Sequence, residues 1–386
     1  MIILSIETSC DETAVSIIDA QGDFPHATYT ILGNSLFSQI DIHREYGGVF
    51  PAVAKREHAR TLVPMLERAL QEAKLLEVRA NPLPQTFTET VQTILVREPG
   101  LGDALTIFAE QHTIPKIDLI AVTSGPGLEP ALWVGINFAR ALSFLWNTPL
   151  VPVNHMEGHI LSSIFTTDSI PHIAFPALAL LISGGHTELV HMKEWAHFER
   201  IGETRDDAVG EAFDKVARML GLPYPGGPEI GTHAQRARDA HIPRYITLPR
   251  PMIDTPNFEF SFSGLKTAVR YAIEGKKLTD DEMASTACEF ENAVTEILLK
   301  KSERAISQYG IKTLIVGGGV SANTHIRESF LSHFKAYDPE LAVYFPPQNL
   351  STDNSIMIAL VGHARKDHFQ SYDVDMKADG NLSLAS

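Results

Sequence analysis

Two stretches of this chain repeat one shape, and that repetition limits the fold more than any other feature. Ile2 to Ile6 is an apolar run that reads as a buried strand, Glu7-Thr8-Ser9-Cys10-Asp11-Glu12-Thr13 is a polar turn, and Ala14 to Ile18 is a second apolar run. The shape returns as Pro176 to Ile182, the turn Ser183-Gly184-Gly185-His186-Thr187, and Glu188 to Met192. One strand-turn-strand unit in each half predicts a duplicated α/β architecture of two lobes with a cleft between them. Two further strands end in glycine. Leu119 to Thr123 leads through Ser124-Gly125-Pro126-Gly127 to an apolar helix over about 131–146, and Thr313 to Val316 leads through Gly317-Gly318-Gly319-Val320-Ser321-Ala322-Asn323 into another helix. Backbone N–H groups in such turns can approach an anion, and a helix N-terminus adds its dipole, so these turns are expected to hold phosphate.

At 386 residues the chain is long enough for two domains. We expect an N-terminal lobe over 1–150, with 351–386 packing back on it, and a C-terminal lobe over 151–350. The stretch from about 76 to 116 contains Pro82, Pro84, Pro99 and Gly102 but also helix-like apolar spacing from Thr86 to Val96, and reads as an added surface subdomain.

Composition excludes several functions. Cys10 and Cys288 are the only cysteines, which leaves neither a disulfide framework nor a thiolate metal cluster. No window approaches the roughly 20 apolar residues of a membrane span, and a soluble, cytoplasmic protein is expected. The net charge of -15 argues against a general nucleic-acid coating protein. Two basic clusters, Lys55-Arg56-His58-Arg60 and Arg236-Arg238-Arg244-Arg250, read as solvated faces.

A metal site is legible in His155-Met156-Glu157-Gly158-His159 taken with Asp353. Histidines four apart share one helix face, so both imidazoles can reach one ion, and a distant carboxylate would complete the set with positions left open. A zinc-protease reading requires Glu directly after the first His, where Met156 stands.

The glycine turns resemble those of the actin-like ATPase superfamily. Within it the ordered motifs Glu7-Thr-Ser-Cys-Asp11-Glu12, Tyr46-Gly-Gly48-Val, Ser124-Gly-Pro-Gly127, His155-Met-Glu-Gly-His159, Ser183-Gly-Gly-His-Thr187, Glu211-Ala-Phe-Asp214, Tyr224-Pro-Gly-Gly227-Pro, Phe260-Ser-Phe-Ser-Gly-Leu-Lys266 and Gly317-Gly-Gly319-Val-Ser-Ala-Asn323 are similar to the TsaD family. That family comprises the tRNA threonylcarbamoyltransferases once labelled O-sialoglycoprotein endopeptidases. The resemblance implies a duplicated actin-like (ASKHA) fold with a nucleotide and metal cleft between the lobes. It further implies transfer of a threonylcarbamoyl group from threonylcarbamoyl-adenylate to N6 of the adenosine just 3′ of the anticodon, in tRNAs reading codons that begin with A. Carried over by position, His155, His159 and Asp353 match ligands for iron or zinc. Leu181, Ile182, Ser183, Gly184 and Gly185 match the donor-contacting loop, while Asp214, Gly227 and Asn323 match positions that hold the nucleotide. Expected partners are tRNA and, in a bacterium, a TsaB-like paralogue and a TsaE-like ATPase.

On residue chemistry alone Asp214 also reads as a helix-surface acid beside Lys215 and Arg218, and Asn323 as an N-cap. The acceptor amine is a weak nucleophile, its lone pair being delocalised into the purine, so a base is expected; Asp11 is the candidate and Glu12 the nearest alternative. Lys266 is a candidate contact for phosphate or RNA. The metal aspartate is flanked by Ser351 and Ser355, and Asn154 precedes the first histidine, departures from the family that leave all three ligands in place. Rival readings are a kinase or ATPase of the same superfamily, which needs no histidine pair, a nucleotide-binding scaffold, and a metalloprotease.

Overall fold

The first repeat folds into β1 (Ile2–Glu7) and β2 (Glu12–Gln21), paired antiparallel with Ile6 opposite Val15. This is a computed structural model that describes residues 1–80 and 84–384; Pro82 and the last two residues of the C-terminal segment lie outside the described residues. β3 (Thr28–Ser38) adds antiparallel to β2, β4 (Leu119–Gly125) runs parallel to β1 on its other side, and β5 (Leu150–Asn154) runs parallel to β4. The sheet order is β3-β2-β1-β4-β5.

Five of the helices of this part are α2 (Pro51–Glu72), α3 (Gln85–Ile94), α4 (Leu101–Gln111), α5 (Glu129–Trp146) and α6 (His155–Ile164), preceded by the short α1 (Ile40–Arg44). Leu4, Ile6, Ile120 and Val122 join one apolar core with Leu62 and Leu66 of α2 and Leu132 and Phe138 of α5. β1 and β4 are buried along almost their whole length because helices cover both faces of the sheet, which is why they read as unbroken apolar runs.

The second repeat builds the same sheet again. β6 (Ala177–Ile182) and β7 (Thr187–Glu194) pair antiparallel, β8 (His197–Glu203) extends β7, β9 (Thr313–Gly317) runs parallel to β6, and β10 (Ala342–Tyr344) runs parallel to β9. The order β10-β9-β6-β7-β8 matches the first sheet strand for strand in sequence order and direction. The fold is therefore the expected α/β duplication, with two mixed sheets. Its helices are α7 (Val209–Met219), α8 (Gly226–Asp239), α9 (Ser263–Ile273), α10 (Asp280–Tyr309) and α11 (Thr324–Tyr337). Phe213 of α7, Phe290 of α10 and Phe330 of α11 sit in one core with Leu180 and Ile182 of β6.

The chain then returns to the first sheet with α12 (Ser355–Ala364), where Gly362 lies against Ala121 and Ile3 on the face opposite α2 and α5. Chain contacts divide the molecule into one unit of Met1–Ile42, Val49–Pro171 and Asp353–Ser383, and a second built from His43–Gly48 and His172–Thr352. The division thus falls at Pro171 rather than at 150, because β5 is hydrogen-bonded to β4 and carries α6 with it. The 76–116 stretch is not a separate surface subdomain either. Val91, Leu95, Leu101, Leu105 and Phe108 of α3, α4 and their junction are buried in the core of the first unit. Among the described residues no helix is long and apolar enough to cross a membrane.

Candidate functional site

The histidine pair stands at the start of α6, which Asn154 caps by accepting hydrogen bonds from the N–H groups of Met156 and Glu157. That cap gives Asn154 a local structural role. Gly158, between the histidines, lets α12 approach: a Cβ there would stand 3.0 Å from Met357 Cγ. Asn354 caps α12 through the Met357 N–H, and this places the preceding residue, Asp353, beside the α6 histidines.

Asp353 Oδ1 is 3.4 Å from His155 Nε2 and 3.2 Å from His159 Nε2, and ligand atoms of all three lie within 4.8 Å of one another. His159 is fully buried, and its approach to Asp353 lacks the direction of a hydrogen bond, so neither ring nitrogen has a hydrogen-bond partner among the described residues. A buried imidazole left in that state is uncommon unless something else occupies its lone pair. Behind the cluster, buried Glu7 lies 3.0 Å from His155 Nδ1 and also accepts from the Thr123 hydroxyl and the Ser9 N–H. Burial opposes charge on His155, but Asp353 and Glu7 on either side push its pKa well above the usual range. Burial likewise opposes ionisation of Asp353, and His155 outweighs it, lowering that carboxyl. Two buried carboxylates converge on this pair of imidazoles, and a divalent ion on His155, His159 and Asp353 would balance their charge. The residues present fit such an ion.

Glu157 does not serve this cluster. Its carboxylate is paired with Arg365 at 3.0 Å, so it is not placed as the water activator of a metalloprotease.

Asp11 and Glu12 lie at the end of the polar turn and are both nearly buried. Burial, reinforced by Asp11 and Asp353, raises the Glu12 carboxyl well above the usual range and so favours its neutral form.

The second unit contains a cavity of about 770 Å³, lined in part by Gly184, Phe213, Asp214, Gly227, Glu291 and Asn323. Asp214 accepts the Gly226 N–H at 2.7 Å and so pins the start of α8, where Gly226 packs so closely on Ala217 that a Cβ would stand 2.6 Å away. At Gly227 a Cβ would meet nothing within 4 Å, and the missing side chain keeps the cavity open. Gly318, at φ +88°, comes so near the Ile182 carbonyl that a Cβ would sit 2.5 Å from its oxygen. Only a glycine suits that approach, which brings the last Gly-rich turn to the end of β6. Asn323 caps α11 through the Ile326 N–H and donates its amide to Glu291 at 2.6 Å.

Of the donor-loop positions, Gly184 lines the cavity, while Leu181 and Ile182 are fully buried strand residues. Ser183 accepts the His186 N–H and Gly185 is exposed at the tip of the turn. Three pocket residues escaped the sequence reading. Glu291, almost wholly buried, bridges Asn323 and Arg238. His325 lines the cavity with its pKa lowered to about 4 by burial and then by Arg238, and is neutral at physiological pH. Arg238 belongs to a cluster that reads as a solvated face, yet its side chain pairs with buried Glu291 beside the cavity. Arg250 pairs with Glu289 and Glu296 of α10, whereas Arg236 and Arg244, paired with Asp281 and Glu289, remain exposed as the sequence predicts. An amphipathic helix hides such acids among ordinary surface charges, so their positions in α10 gave no signal. Lys266 is paired with Asp207 at 2.9 Å.

Comparison with known proteins bears on this arrangement. The model of the family described as TsaD, tRNA N6-adenosine threonylcarbamoyltransferase, matches residues 30–78 and 104–360. Proteins of that name from Staphylococcus aureus strains Newman and MRSA252 are each 38% identical to this chain over 386 residues, spanning 100% of it and 97% of their own length. Among solved structures, a ROK hexokinase from Thermus thermophilus is similar at TM-score 0.45 and 12% identity, over 95% of this chain and 100% of that one. HypF from T. kodakarensis is similar at TM-score 0.48 and 12% identity, over 69% of this chain and 43% of that one.

Proposed function

We propose, from the premise that this chain belongs to the TsaD family of tRNA N6-adenosine threonylcarbamoyltransferases, that its donor is threonylcarbamoyl-adenylate. The acceptor would be the N6 amine of the adenosine just 3′ of the anticodon, in tRNAs reading codons that begin with A. The enzyme is an acyltransferase acting on tRNA. In the proposed step the N6–carbonyl bond forms, the bond from that carbonyl to the phosphate oxygen breaks, adenylate departs, and the amine gives up a proton.

The convergence of His155 and His159 on one Asp353 oxygen, with His159 left without a hydrogen-bond partner, supports this reading most directly. A divalent iron or zinc ion held by these three residues would supply Lewis acidity to the carbonyl and leaving phosphate. Glu7 accepts from His155 Nδ1–H and so aims Nε2 toward the ligand set. Burial and its acidic neighbours favour the neutral form of Glu12, so Asp11, beside it in the same turn, is the residue we assign to take the proton from the amine. In the second unit, Asp214 and Asn323 offer an acceptor and a donor to the nucleotide, with Gly184 and Gly227 allowing close backbone approach.

The proposed partners are a TsaB-like paralogue and a TsaE-like ATPase, and the proposed compartment is the cytoplasm. The test is transfer from threonylcarbamoyl-adenylate to unmodified tRNA, with and without those partners, read by nucleoside mass spectrometry. Wild type should form the modified nucleoside and His159→Ala should not; equal activity in the two would remove the metal site from the reaction.

A further inference from the structure

We infer that His58 is a positioning residue for the transfer reaction, holding the turn that carries Asp11 and Glu12 through the backbone of Cys10. In α2 its charged neighbours behave as surface residues: the Arg56 and Arg60 side chains are 69% and 72% exposed. His58 is turned inward and fully buried. Its Nε2 lies 3.0 Å from the Cys10 carbonyl oxygen and its Nδ1 lies 2.7 Å from Thr13 Oγ1.

A carbonyl oxygen can only accept, so the imidazole proton belongs on Nε2 and Nδ1 is the acceptor. Thr13 therefore donates to His58. Thr61 of α2 packs its hydroxyl 2.9 Å from Thr13 Oγ1 while donating to the Glu57 carbonyl at 2.7 Å, so the His58–Thr13 pair is enclosed by α2. The neighbouring turn carbonyls are held from other elements: the Leu128 N–H donates to Ser9 O at 2.7 Å and the Gln39 N–H donates to Asp11 O at 2.9 Å. Those two holds are backbone to backbone. The hold on Cys10, the peptide leading directly into Asp11, comes from a side chain and can be removed by substitution.

This inference rests on the reading of Asp11 as the base, and its test separates the two. In glutamine the amide nitrogen can overlay histidine Nε2, whereas asparagine reaches only the Nδ1 position. His58→Asn should lose the Cys10 hold and His58→Gln should keep it. In the complete transfer system His58→Asn should lower kcat on the order of a hundredfold, the scale of a misplaced reacting group, with the donor KM little changed, and His58→Gln should restore most of the rate. Iodoacetamide alkylation of Cys10, followed by peptide mass spectrometry, reads the turn without relying on activity. His58→Asn should speed it about tenfold, as expected for losing one buried hydrogen bond, while Cys288 in the second unit reacts at the wild-type rate. Equal behaviour of the two variants in either assay, or Cys10 labelling unchanged in His58→Asn, overturns the assignment. If Asp11→Asn keeps full transfer while the Cys10 contrast holds, the reading of the base fails and the hold by His58 stands.

Discussion

Glu7 and His155 meet at 3.0 Å across the first unit, and that contact settles which imidazole nitrogen remains for a ligand. Burial opposes ionisation of Glu7, but the facing His155 outweighs it and lowers the carboxyl below its usual range. The carboxylate accepts from Nδ1, and Nε2 is left facing Asp353. Glu7→Gln keeps the shape but weakens the acceptor. Metal affinity should fall by about 10- to 100-fold, the usual effect of losing a partner behind a ligand. Competition with a fluorescent chelator measures this, and an unchanged affinity would show that Glu7 serves only the Ser9 and Thr123 contacts.

Glu291 holds the amide of Asn323 on one carboxylate oxygen and Arg238 on the other. Since Asn323 Oδ1 is used as the cap of α11, its remaining amide hydrogen is what it offers to the cavity. Glu291→Ala frees that amide and leaves Arg238 without its buried acceptor. Adenylate affinity, measured by calorimetric titration, should drop roughly tenfold, the worth of one well-placed hydrogen bond to a charged or polar group. A variant that folds and binds adenylate as wild type does would detach Asn323 from nucleotide binding.

Lys301 offers a test of the fold rather than of the site. It is fully buried in α10, donating to Thr255 Oγ1 at 2.8 Å and to the Asn257 carbonyl at 2.9 Å. Burial, then Arg304, lowers its pKa to about 8 from 10.5. Between those two values the unfolded chain binds more protons at this position than the native state, so this group's contribution to stability rises with pH there and is level below it. Denaturation midpoints of wild type minus Lys301→Met should therefore climb between pH 8 and pH 10.5. A flat difference would mean that Lys301 keeps its ordinary basicity.

What the sequence announced and what it hid follow from burial. β1, β4, β6 and β9 are covered on both faces or run through the core, so each appears as an apolar run ending in a polar or glycine turn. β8, as His197–Glu203, is an edge strand with a mostly exposed, charged surface, and β3 includes Gly33 and Asn34 within another edge strand. Neither carries the pattern of a central strand. The spacing of His155 and His159 was readable because a helix turn relates them, and α6 brings both to Asp353. Glu7, Glu291 and His58 were not readable as supports. Each sits where its residue type is common, at a strand end or among helix charges, and only the tertiary contact shows what it holds.

The first unit is interrupted by the second, since α12 closes one face of the first sheet only after all of Thr313–Tyr337 has been made. A chain emerging from the ribosome would thus present most of the second unit while Ile3 and Ala121 still lack the helix that covers them. His155 and His159 would wait through nearly two hundred further residues for their carboxylate. An ion on the proposed set of His155, His159 and Asp353 would gain its third ligand only after the intervening second unit had been synthesised.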